Sequence, residues 1–255
     1  MRATLAVARE PADRSIRRTV SLSAVPSSPT VPACHAGVRA TMAGMIARPP
    51  LVVPVAALVA FLALMTLVAA DWGPLNRLDV TASEDLRGYG TDHPRQIDAL
   101  RVATDVGATI PFVAVGVVAT VGLLLRRHRR EAYLCAWVTV LIPALWGLMH
   151  WAVHRPRPPN GFVFVDSNGF PSGHTSHAAS AALVAVLLLW PHLARRGRAL
   201  VVAGAAALAL FVGATRVLLL AHWPTDVVGG WLLALTVVPL TAHVITARGA
   251  HYGRE

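Results

Sequence analysis

Past Pro50 the chain falls into long apolar runs separated by short polar stretches. A helix rises 1.5 Å per residue, so about 20 apolar residues cross the hydrocarbon core of a bilayer. Six runs reach that length: Leu51–Ala70, Val106–Leu125, Ala132–Trp151, His174–Leu193, Ala199–Leu218 and Val227–Thr246. The pattern predicts an all-α integral membrane bundle of six transmembrane helices. Between the first two runs, Trp72 to Gln96 reads as an outer loop of mixed polarity. Gly229 and Gly230 are expected to let the sixth span pack closely on a neighbour.

Composition agrees with the pattern. Of 255 residues, 55% are hydrophobic and 14% charged, against about 25% charged in ordinary globular chains. Disorder along the whole chain is excluded, and so is a disulfide scaffold, since the only cysteines are Cys34 and Cys135. Residues 1–47 are rich in Arg, Ser, Pro, Thr and Ala and read as a disordered basic tail. Met42 and Met45 precede the first span, so the tail is also readable as the product of a misassigned start. Residues 48–247 then form the membrane domain and 248–255 a short tail.

The formal net charge is +10, and all 23 basic residues are arginine. Their distribution excludes nucleic acid as the partner: they cluster between apolar runs without interleaved aromatics. Four follow span two (Arg126, Arg127, Arg129, Arg130) and three follow span four (Arg195, Arg196, Arg198). Arg48 precedes span one, while Arg248 and Arg254 follow span six. By the positive-inside rule this side is cytoplasmic and both termini are inside. The opposite side carries Asp71, Asp79, Glu84, Asp85, Asp92, Asp98 and Asp166, with Trp72, Trp151 and Trp223 as an aromatic belt.

Polar residues that a membrane tolerates poorly gather at the outer ends of spans three to six. They form three segments: His150-Trp-Ala-Val-His154-Arg155-Pro-Arg157-Pro158, Pro171-Ser172-Gly173-His174, and Thr215-Arg216 followed by His222 and Asp226. Arg157 and Arg216 offer planar, permanently charged forks suited to phosphate oxygens. At Ser172-Gly173 a loop becomes a helix, where Ser172 can cap and free N–H groups face an anion. Asp226, about one turn beyond His222, can hold one imidazole nitrogen and leave the other free to attack phosphorus. His174 then remains as proton donor to the leaving oxygen and acceptor from water.

These segments resemble the three signature motifs of the type 2 phosphatidic acid phosphatase (PAP2) superfamily, K-x6-RP, PSGH and SR-x5-H-x3-D. The second matches in full; the third has Thr215 for serine, and the first has His150 for lysine. The resemblance covers roughly Ala132 to Thr246. It implies a membrane phosphatase acting on a lipid phosphomonoester or pyrophosphate through a covalent phosphohistidine. His222 would be the nucleophile, Asp226 its partner and His174 the acid/base. Arg157, Arg216, Ser172, Gly173 and His150 would bind phosphate, without metal or other cofactor.

Phosphatidate, phosphatidylglycerophosphate and polyprenyl diphosphate are all substrates such a site could take, the last slightly preferred. A lipid phosphotransferase would use the same phosphohistidine, and a lipid-binding or transport protein would retain only a degenerate pocket. Unlike lysine, His150 would be partly neutral at pH 7, so activity is expected to rise under mild acidity. Arg155 could lend charge to the site. The pairs His150/His154 and His174/His177, with Asp166 or Asp226, are conceivable metal ligands. Neighbouring arginines argue against that, and His177 reads instead as a residue hydrogen-bonded inside the bundle. The oligomeric state is not written in the sequence.

Overall fold

A computed structural model describes the backbone of residues 46–251 and the side chains of residues 46–247. Eight α-helices follow one another: α1 (Val52–Ala69), α2 (Gly73–Asp92), α3 (Pro94–Ala103), α4 (Thr109–Leu125), α5 (Arg129–Ala152), α6 (Gly173–Leu189), α7 (Arg195–Leu218) and α8 (Pro224–His251). Among the described residues there is no strand, and six helical stretches are long and apolar enough to cross a membrane. The tail expected over residues 1–47 lies outside the described residues except at its end. There Ile46 is buried, and the Ala47 N–H donates to the Leu187 carbonyl. Of the short tail expected over residues 248–255 only the backbone to His251 is described, and it continues α8.

Hydropathy located the apolar body of each span, but not its ends. The arginines of α5 and α7 sit inside the first turns, since arginine is a good helix former and polarity alone does not stop a helix. A larger difference concerns the expected outer loop, which is two amphipathic helices, α2 and α3, broken at Pro94. Pro94 starts α3 because its missing N–H costs nothing in a first turn. Its fixed ring cannot continue α2.

The core lies between α6 and α8. Half of the apolar window of each is buried, against about a quarter or less for the other four spans. Helices α1, α5 and α7 pack around this pair, and α4 packs chiefly on α5. The outer helices show large apolar side chains to their surroundings, among them Ile110, Leu125 and Leu200, as the lipid-facing side of a bundle should. Inside, α6 buries a stripe of small polar residues, Thr175, Ser176 and Ser180 with His177. Gly229 and Gly230 allow the close approach: a Cβ on Gly229 would lie 2.6 Å from the Phe170 ring, and one on Gly230 2.9 Å from the Ser172 carbonyl oxygen. At the far end, Arg48 Nη2 donates to the Thr246 carbonyl at 2.6 Å and ties the start of α1 to the end of α8.

Gly230→Ala is therefore expected to destabilise the protein by about 1–3 kcal/mol through overpacking, read as a lower unfolding midpoint in detergent. Gly204→Ala in α7, whose added methyl would meet nothing within 4 Å, should leave the midpoint unchanged or raise it slightly.

Candidate active site

The polar segments meet at one end of the bundle, where α5 leaves, α6 enters, and a tight turn joins α7 to α8. That turn shapes the site. At the end of α7 the Arg216 carbonyl accepts from the N–H groups of both Ala221 (3.1 Å) and His222 (3.3 Å). Leu220 takes a left-handed conformation, φ 50°. For a residue with a Cβ this costs roughly 1–2 kcal/mol, and Leu220 is held there buried. Pro224 then opens α8 and Asp226 stands in its first turn. The chain thus fixes Arg216, His222 and Asp226 within a few residues of one another in space.

His222 is 2% exposed and Asp226 fully buried. Asp226 Oδ2 lies 3.4 Å from His222 Nδ1 and accepts from the Trp223 backbone N–H at 3.0 Å. Arg157 Nη1 comes within 2.9 Å of Nε2 and 3.4 Å of Nδ1. The carboxylate beside Nδ1 calls for a hydrogen on that nitrogen, which leaves the Nε2 lone pair to the guanidinium, a pure donor. This is the tautomer that a nitrogen nucleophile needs. Burial pushes the His222 imidazole down to about 4; the bond with Asp226 opposes this and the charge of Arg157 adds to it.

Arg157 is held by the loop between α5 and α6. Its Nε donates to the Ser167 carbonyl (2.8 Å), Nη1 to the Ala221 carbonyl (2.6 Å) and Nη2 to the Asn168 carbonyl (3.0 Å). Burial lowers its pKa from the ordinary guanidinium value and Asp226 opposes the shift. The group stays cationic at neutral pH.

Arg216, 4% exposed, reaches only Thr104 Oγ1 at 3.5 Å with Nη1, and its Nε has no partner. Its charge is felt by Arg157, Asp105 and His174, and His174 is also within electrostatic reach of His222 and Arg157. The first N–H groups of α6, from Gly173 on, have no intrahelical acceptor. Ser172 does not cap with its side chain as expected. Instead its N–H donates to the Asp226 carbonyl (2.9 Å), and its hydroxyl accepts from Thr175 Oγ1 (3.0 Å). The Asp226 main chain thereby holds the N-terminus of α6 beside the nucleophile turn.

The expected residues thus come together: Arg157, Ser172, Gly173, His174, Arg216, His222 and Asp226 form one cluster. His150 borders it. Its ring packs on Trp146 with centroids 4.4 Å apart, its Nδ1 faces the Trp146 carbonyl at 3.2 Å, and its Nε2 is buried without a partner. His177 points elsewhere, with Nδ1 3.2 Å from the Gly107 carbonyl and its ring stacked on Phe112, as a bundle-interior histidine should. His154 is exposed. Among the described residues no three His, Cys, Asp or Glu side chains converge on a point.

Sequence reasoning passed over four contributors. Trp146 packs its indole nitrogen against Gly173, where a Cβ would lie 2.7 Å away, and that nitrogen is buried without a partner. Asp79, counted with the outer-face acids, is 1% exposed and sits against Arg155 and Thr225. Asp105 faces Arg216. Trp223, expected in an aromatic belt, turns its Nε1–H inward to the Pro156 carbonyl at 2.8 Å. Only the spacing of Asp79, on the polar face of an amphipathic segment, could have raised a question in advance.

A buried and a half-buried arginine, two imidazoles and an open helix N-terminus thus meet at one end of a bundle of membrane-spanning length, a chemistry suited to an anion. Residues 133–250 match the sequence model of the PAP2 superfamily. Its relatives include phosphatidylglycerophosphatase B of Escherichia coli (strain K12) and of Shigella flexneri, each 48% identical over 69 residues. That stretch is 27% of this chain and 26% of each relative, so the match spans about a quarter of their length. A crystal structure of a transmembrane PAP2 type phosphatidylglycerolphosphate phosphatase from Bacillus subtilis superposes with a TM-score of 0.69 at 25% identity, covering 77% of this chain and 97% of that one.

The depressed imidazole value carries a prediction. Resonances of labelled His222 should titrate near pH 4 with no step near the ordinary 6.5. Between those two values only the unfolded chain takes up this proton, so the stability it contributes is full above 6.5 and is lost as pH falls toward 4. His222→Gln should flatten that part of the stability–pH curve, measured by denaturant unfolding.

Proposed function

We propose that this protein hydrolyses a lipid phosphomonoester at the extracytoplasmic face of the membrane, through a phosphohistidine on His222. The observation that carries the reading is the His222 arrangement: a buried imidazole with Nδ1 toward the Asp226 carboxylate and Nε2 beside the Arg157 guanidinium. The incoming phosphate oxygens draw Arg157 from Nε2 onto themselves and uncover the lone pair. Nε2 attacks phosphorus, the phosphorus–oxygen bond to the lipid breaks, and His174, in its protonated form, gives its proton to the leaving oxygen. His174 then takes a proton from water, whose oxygen displaces His222 and releases inorganic phosphate. Arg157, Arg216 and the N–H groups at Gly173 hold the equatorial oxygens throughout.

Phosphatidylglycerophosphate is the first substrate to test, because the relatives and the structural neighbour are named for it. Arginine-rich loops at the opposite end of the bundle support cytoplasmic termini and an outward-facing site. No metal or cofactor enters the proposed steps.

His222→Ala is expected to lower phosphate release from phosphatidylglycerophosphate in detergent by at least about 10³-fold and to abolish the acid-labile phosphoenzyme. An active His222→Ala protein would remove the assignment. Activity that survives excess chelator is expected; its loss would bring back a metal centre. His150→Lys should keep or raise turnover and flatten its rise under mild acidity, checked by a pH–rate profile. Added acceptor lipids that divert the label from inorganic phosphate would favour the phosphotransferase.

A further inference from the structure

Arg155 occupies an unspecified position inside the first motif, and Asp79 lies on α2, outside the residues that match the family model. Together they form a buried chain behind the nucleophile. Arg155 Nη1 donates to Asp226 Oδ1 at 2.5 Å, and Nη2 donates to Asp79 Oδ2 at 2.6 Å. Thr225 locks the far end: its N–H donates to Asp79 Oδ1 at 3.1 Å and its hydroxyl to Asp79 Oδ2 at 2.5 Å. The same hydroxyl accepts from Arg155 Nη1 at 2.7 Å. Asp79, Arg155 and Asp226 are 1%, 8% and 0% exposed, so water screens none of these charges well.

We propose that Asp79 and Arg155 are positioning residues for His222, with Asp79 balancing the Arg155 guanidinium so that Asp226 keeps its charge for the imidazole. The inference rests on the nucleophile assignment proposed above. When Nε2 bonds to phosphorus the imidazole becomes cationic, and Asp226 is the carboxylate facing its Nδ1–H. Arg155 fixes Asp226 by engaging Oδ1, which leaves Oδ2 to the ring. A guanidinium with Asp226 as sole counter-ion would cancel that carboxylate as seen from the ring. Two carboxylates around one guanidinium leave a single negative charge, which matches the positive charge that develops on His222. Delivery of Asp79 depends on α2, whose Arg87 also grips the loop after Arg157 through the carbonyls of Pro159 (2.7 Å) and Asn160 (2.9 Å). The outer helix therefore braces both the nucleophile's carboxylate and the loop that carries Arg157.

The test uses the full chain in detergent with phosphatidylglycerophosphate labelled in its terminal phosphate. Asp79→Asn, nearly isosteric, is expected to lower kcat and the rate of phosphoenzyme formation about 10- to 100-fold, with KM within about twofold. Asp79→Glu should restore part of the loss. Asp79→Asn/Arg155→Met removes the guanidinium together with its counter-charge and should exceed Asp79→Asn in kcat by about threefold or more, a recovery that a packing role would not produce. Wild-type kcat in Asp79→Asn, a rise in KM alone, or a double variant no better than the single one would each overturn the inference. Should Asp79→Asn not fold, the double variant decides: kcat within about tenfold of wild type supports the proposal. Loss as complete as in Asp226→Asn overturns it. A wild-type protein that forms no phosphoenzyme removes the mechanism and this inference together. Equal phosphoenzyme formation by wild type and Asp79→Asn removes this inference alone.

Discussion

Unbalanced positive charge held out of water is the constraint around which this end of the bundle is organised. Three arginines are buried or half-buried there, yet the nearest carboxylates, Asp79 and Asp226, both belong to Arg155. Arg157 is steadied by carbonyls and by an imidazole, and Arg216 by little more than Thr104 and the field of Asp105. Charge in a low-dielectric interior is costly unless paired. Backbone carbonyls meet part of that cost, and an anionic guest would meet the rest. The same constraint explains why the motif loops are so heavily hydrogen-bonded: a guanidinium at this cost has to be pinned, or it would turn outward to water.

The rest of the fold can be read as the support for that cluster. Gly229 and Gly230 bring α8 against Phe170 and Ser172, the Asp226 carbonyl receives the Ser172 N–H, and the Arg216 carbonyl receives the His222 N–H. The second motif is thus gripped by the main chain of the third, and the third by its own turn. Segments far apart in sequence depend on one another through backbone groups, which substitution of side chains does not remove.

Much of this was legible in the sequence, for definite reasons. Spans were legible because a bilayer requires about 20 apolar residues in a row. The site was legible because arginine and histidine are expensive in such runs and stand out against them. What escaped detection lacked one of these two contrasts. Helices α2 and α3 are amphipathic and carry many polar residues, so no rule based on the length of an apolar run marks them. Asp79 hides among six other outer-face acids, and only the pairing with Arg155 distinguishes it. Trp146 is an apolar residue in an apolar helix, and nothing but the fold shows its N–H turned toward Gly173. Ser172 had the right position for a cap, but its N–H goes to the Asp226 carbonyl and its Oγ accepts from the Thr175 hydroxyl rather than from a helix N–H.

The substitution of His150 for the family lysine fits the same electrostatics. A lysine there would add a third cation facing the cavity, beside Arg157 and Arg216, with both nearby carboxylates already engaged by Arg155. An imidazole can shed its proton between turnovers and regain it when an anion arrives, so it contributes charge when an anion is there to share it. Its shorter reach is offset by packing: Trp146 lies against the ring, and Asn168 Nδ2 holds the His150 carbonyl at 2.6 Å. Asn168 also lends its own carbonyl to Arg157. One loop residue therefore ties the substituted position to the arginine beside it.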